Sequence, residues 1–101
     1  MAVSADPYQT LEQIEQLLRA DAPNLDTVET TLTDGYAQAL ALEAERWRLE
    51  RRLGEVARAG GDGVGAELTT IGRRLSTTDG ELARLRRLLG KLHDRARSLR
   101  G

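Results

Sequence analysis

Between Gly60 and Gly65 the chain places four glycines in six positions, GGDGVG, with Thr69 and Thr70 shortly after. A run of this kind can cradle phosphate, because backbone N–H groups approach an anion closely where no Cβ intervenes. That chemistry needs a strand before the loop and, in its commonest form, Lys-Ser or Lys-Thr after it. Here a helical pattern precedes the run and no lysine follows, so it reads as a turn in which Gly61, Asp62 and Gly63 reverse the chain. The remaining reactive groups are few. His93 is the single histidine and follows an apolar helical position, Leu92, which marks a solvated surface residue rather than a base. The absence of cysteine excludes disulfides, thiolate zinc sites and thiol catalysis. Glu43, Glu45, Glu50 and Glu55 alternate with arginines, giving one supporting pair, Glu45 with Arg48, and no ligand cluster. Nothing places nucleophile, base and stabiliser together, so the sequence predicts a chain that is not an enzyme and holds no cofactor and no metal.

What the sequence does supply is charge. The formal net charge is -1, but residues 1–34 carry seven acids against Arg19, whereas residues 84–101 carry Arg84, Arg86, Arg87, Lys91, Arg95, Arg97 and Arg100 against Asp94. A free basic segment would suit nucleic acid or another polyanion. The positions of Arg84, Arg86, Arg87 and Arg95 make them the candidates for an anionic ligand. No aromatic residue is interleaved among them to stack a base, which disfavours nucleic acid.

The elements that would hold these residues are helical. With 31% charged and 3% aromatic residues, the composition suits long helices rather than a thick globular core. Leu11, Ile14, Leu17 and Leu18 recur at helical spacing before DAPN at 21–24, which predicts a short helix over about 8–20. Asp26 or Thr27 is placed to cap a second helix. From Leu25 to Gly60, and again from Val64 to Leu99, apolar positions alternate in steps of three and four, the spacing of a heptad seam. Folding the chain at residue 62 opposes these positions one by one: Leu25 with Leu99, Leu32 with Leu92, Gly35 with Leu89, Ala39 with Leu85, Leu42 with Leu82, Leu49 with Leu75, Leu53 with Ile71. Arg46 falls opposite Thr78, with Asp79 adjacent, so the polar residues share one layer. The expected fold is all-α: an antiparallel coiled-coil hairpin, arms about 25–60 and 64–100, Gly-rich turn at 60–65, and the short helix packed at the open end, forming a single domain over 1–101. TDG occurs at 33–35 and 78–80, and because the seam phase does not slip the helices are expected to run through both copies.

The first helix, returning along the second, would bring Leu18 near Val28, Ile14 near Leu32 and Leu11 near Tyr36, and its acids beside the basic segment. Tyr36, Leu40 and Trp47 form a second apolar line; the first helix would cover the first two, leaving Trp47 either flat along its own hairpin over the Arg46 layer or, with Arg48, Arg51 and Arg52, as a docking surface for a partner helix or a second copy of the chain. The segment Asp79, Ala83, Arg86, Gly90, Asp94 resembles the Glu, Ser, Arg, Gln, Asp spacing of anti-sigma factors built as coiled-coil hairpins that grip cyclic di-GMP. Arg86 and Asp94 match outright; the other three positions differ, and helix two carries no second copy of the pattern. The resemblance implies an alternative, a small regulator whose arginine face takes an anionic nucleotide or nucleic acid. The leading expectation is a non-enzymatic protein-protein interaction or adaptor module. No apolar run approaches the roughly 18 residues of a membrane span and the first residues lack a signal-like pattern, so the chain is expected in the cytoplasm, without membrane contact.

Overall fold

The computed structural model describes residues 7–101, and among them every regular element is helical: α1 Pro7–Arg19, α2 Leu25–Ala59 and α3 Val64–Arg100. α2 and α3 form a helical hairpin. Both run unbroken through their TDG sequences, Gly35 within α2 and Gly80 within α3. None of the helices is long and apolar enough to cross a membrane.

Two local expectations are corrected. The cap of α2 is Asn24, whose Oδ1 accepts from the Thr27 N–H at 3.2 Å, rather than Asp26 or Thr27. The reason is register: the helix begins at Leu25, so an acceptor one residue earlier reaches an N–H of the first turn that has no partner within the helix. In the reversal, the left-handed residues are Gly60, Gly61 and Gly63, with φ of 64°, 102° and 79°, while Asp62 keeps negative φ. Three glycines thus take the dihedrals that a side chain would resist, and the aspartate needs none of them.

The chain divides into two compact units, one formed by residues up to Leu40 with Arg84–Gly101, the other by Ala41–Ala83. In the first, α1 packs with the start of α2 and the end of α3 around Ile14, Val28, Leu32, Leu85, Leu89, Leu92 and Ala96, all buried. At Gly35 three helices come close: a Cβ there would collide with Leu89 Cδ2 and stand 3.6 Å from Ile14 Cδ1, so a larger residue would have to displace the Leu89 side chain. α1 does not cover Tyr36 or Leu40, which remain 47% and 67% exposed. It lies instead on the flank carrying Thr31, which is buried, and Gln13 shares a groove with Asp26, Thr27 and Thr30.

The second unit holds two helices only. Each buries a single stripe: Leu42, Val56, Ile71, Thr78 and Leu82 are buried, whereas Leu49, Leu53, Leu68 and Leu75 are half-buried. With no third helix, these four leucines stay partly open to water, and the apolar burial they contribute falls accordingly.

Candidate functional site

Trp47 lies on α2 in the two-helix unit, 57% exposed. Its place in the helix explains this. Leu42, Leu49 and Val56 occupy the stripe facing α3, and at about 100° per residue Trp47 falls well round the helix from that stripe. Arg51, one turn on, lays its guanidinium carbon over the indole at 4.8 Å from the ring centre. This cation–π contact orders a long side chain that would otherwise sweep through solvent. Arg51 also reaches Glu55 at 3.8 Å, a distant pair of exposed groups.

The other two residues of the expected surface behave differently. Arg52 is held across the hairpin, donating from Nη2 to Glu67 Oε1 at 2.9 Å. Arg48 has no ion pair among the described residues; with Glu45, Leu49, Arg52 and Arg74 it lines a groove of about 470 Å³. Glu45 turns toward Arg74 at 3.4 Å rather than toward Arg48, so the expected pair within α2 is replaced by one between helices. At about 100° per residue Arg48 stands about 100° and Arg52 about 140° round the helix from Trp47, so this groove lies on a different flank from the indole and Arg51, and it includes Leu49, Glu45 and Arg74, which sequence reasoning did not place on it. The signal was available for Leu49 and Arg74: each sits in or beside the seam, where partially covered side chains border the exposed face.

The polar layer is formed. Arg46 Nε meets Asp79 Oδ1 at 2.6 Å and Glu50 Oε1 at 3.4 Å, while Thr78 is buried beneath. Arg46 itself is half exposed, so its stem covers the seam and its head stays wet, the usual compromise for a long cation.

The four arginines considered for an anion are divided by the fold. Arg84 donates to Glu15 Oε1 on α1 at 2.8 Å. The Arg95 Nη2 donates to the carbonyl oxygens of Ala20 and, at 3.2 Å, of Asp21, closing the C-terminus of α1 with a positive charge where the helix dipole favours one. Arg86 and Arg87 are exposed on α3. Arg100 pairs with Glu29 at 3.1 Å, so the acidic start and basic end of the chain meet as the charge pattern predicts. His93 is exposed, and no cluster of metal-binding side chains occurs among the described residues.

One flank of α2 thus carries a large indole with the Arg51 guanidinium on its ring, and another carries Arg48 beside the groove. Comparison with protein-family models, with curated proteins and with solved structures returns no match for the chain.

Proposed function

We propose that this chain is a non-enzymatic interaction module, an adaptor or regulator that docks another helical protein, or a second copy of itself, through the α2 surface of Trp47, Arg48, Arg51 and Arg52. The observation carrying this reading is the exposed indole with Arg51 stacked on it. A solvent-facing tryptophan adds nothing to the core, yet a chain with 3% aromatic residues keeps its only one there. In this reading the arms pair as an antiparallel coiled coil mirrored about residue 62; the fit of Leu89 against Gly35 and the Arg46–Asp79 contact support that register. The module acts in the cytoplasm and takes no cofactor.

The test uses the fact that Trp47 is the single tryptophan. A photo-crosslinking amino acid replacing Arg48 is expected to trap a defined second chain in the producing cells, and Trp47→Ala to abolish the adduct while leaving helicity unchanged by circular dichroism. Persistence of the adduct in Trp47→Ala would retire the site. Cyclic dinucleotide or duplex DNA at high excess is expected to leave the thermal midpoint unmoved, since Arg84 and Arg95 are occupied within the fold; a clear upward shift would favour the anion-binding regulator.

A further inference from the structure

The three-helix unit shows what closes a seam of this hairpin, because α1 lies there against residues that stand one position before a seam residue. On α2 this is the buried Thr31, before Leu32. On α3 they are Arg84, before Leu85, which holds Glu15 at 2.8 Å, and Arg95, before Ala96, which holds the carbonyl oxygens of Ala20 and Asp21. Where apolar positions alternate three and four apart, all residues that precede the seam fall on one flank of their helix. In the Ala41–Ala83 unit, taken by itself, the residues in this phase are Glu45, Arg48 and Arg52, before Arg46, Leu49 and Leu53, and on α3 Arg74, before Leu75. With Leu49 they line the groove of about 470 Å³, and no described helix fills it. Trp47 follows a seam position and lies on the other flank.

The groove sets three guanidiniums against one carboxylate around a half-buried leucine. Arg52 is held by Glu67 at 2.9 Å through Nη2, and Arg74 by Glu45 at 3.4 Å through Nε. A guanidinium carries five N–H donors, so each keeps donors for a second acceptor. Arg48 has no ion pair among the described residues. We infer that this groove takes an acidic amphipathic helix of another protein, seated as α1 is in its own unit, with leucines over Leu49 and carboxylates on Arg48 and Arg74. The inference rests on the reading of this chain as a docking module and adds the flank used and the chemistry of the partner; it does not depend on Trp47. Two observations select the occupant. The chain already binds one such helix: α1, thirteen residues, buries Leu11 and Ile14 and presents Glu15 to an arginine of α3. The excess of cations attracts acids and turns away a basic helix, and a second copy presenting the same groove would bring that excess against itself.

The probe is a synthetic helical peptide of about three heptads, leucine at its seam positions and glutamate on its flanks, with a control in which lysine replaces every glutamate. Binding to the full chain is followed by fluorescence anisotropy of the labelled peptide and by NMR of the arginine Nε–H groups. The glutamate peptide is expected to bind at least about tenfold more tightly than the lysine peptide and to shift the signals of Arg48, Arg52 and Arg74. Arg48→Glu should weaken it about tenfold with helicity unchanged, and Glu45→Gln, which removes the one acid of the lining, should strengthen it about threefold, a gain that unfolding does not produce. Trp47→Ala and Arg97→Glu, an exposed cation of the other unit, should each stay within about twofold. Absence of saturable binding, equal binding of the lysine peptide, or indifference to both Arg48→Glu and Glu45→Gln overturns the inference. A dimer in sedimentation equilibrium that Arg48→Glu dissociates makes the occupant a second copy and overturns it too. If the peptide fails while the adduct trapped from the Arg48 position stays Trp47-dependent, the groove falls and the docking reading stands. If the peptide binds as expected and the adduct survives Trp47→Ala, the indole is retired and the groove remains.

Discussion

Glycine occurs ten times in this chain, yet only some of those positions ask for it, and the difference can be measured. At Gly35 a methyl group would occupy the space of Leu89 Cδ2, whereas at Gly80 a Cβ would meet nothing within 4 Å. Both lie in helix interiors, where alanine is favoured over glycine by about 1 kcal/mol. The two substitutions should therefore move stability in opposite directions. Gly35→Ala is expected to cost about 1–3 kcal/mol through overpacking, and Gly80→Ala to add up to about 1 kcal/mol. Urea denaturation of each variant against the parent checks the pair, and equal signs would show that the approach of α3 to Gly35 is looser than described. The close fit of Gly35 with Leu89 was legible beforehand, because small faces large when the two seams are mirrored about residue 62. The emptiness around Gly80 was not, since its sequence, TDG, is identical to that containing Gly35.

Among the elements, α1 shows where sequence reasoning stops. Its existence follows from the spacing of Leu11, Ile14, Leu17 and Leu18, and its end from DAPN, but the flank of α2 that it chooses follows from neither. Apolar patterning points to the side of Tyr36 and Leu40. α1 takes the side of Thr31, which is buried although its hydroxyl finds no hydrogen-bond partner there and any hydropathy pattern counts it as polar. A second determinant was equally hidden: the Arg95 guanidinium, contributed by a residue more than seventy positions away, holds the carbonyls of Ala20 and Asp21 just past the end of α1. In sequence Arg95 looks like one more member of a basic stretch. Removing it should loosen α1 specifically. Arg95→Ala is expected to cost about 1–2 kcal/mol, and Arg95→Lys to recover only part, because an ammonium keeps the charge but lacks the planar fork. Arg84→Ala, which breaks the exposed pair with Glu15, should cost under about 1 kcal/mol. Limited proteolysis at residues 19–24, combined with thermal melts, separates the two arginines; comparable losses would mean that Arg95 contributes no more than a surface charge.

At the level of the whole molecule, the burial pattern predicts that stability is unevenly distributed. Ile14, Val28, Leu92 and Ala96 are fully buried in the three-helix unit, where a third helix closes the seam. In the Ala41–Ala83 unit the central seam leucines Leu49, Leu53, Leu68 and Leu75 are only half-buried, and the ion pairs Arg52–Glu67 and Arg74–Glu45 that border them are exposed and individually weak. Local opening free energy follows buried apolar contact and protected backbone, so helical amides near Leu49 and Leu75 should open at a small fraction of the cost of those near Leu89 and Leu92. Hydrogen exchange read by mass spectrometry at micromolar concentration or below is expected to show faster exchange over residues 41–83 than over 25–40 and 84–97. This asymmetry also fits the function proposed. A thin two-helix unit with an open flank gains most from a second surface laid against it, and apolar area covered by a partner adds protection in proportion. The glutamate peptide should therefore slow exchange selectively around Leu49 and Leu75 in the parent chain, and less so in Arg48→Glu. Uniform protection across all three helices would mean that the half-buried seam is as well supported as the three-helix core, and that the open flank has no stability to gain from being covered.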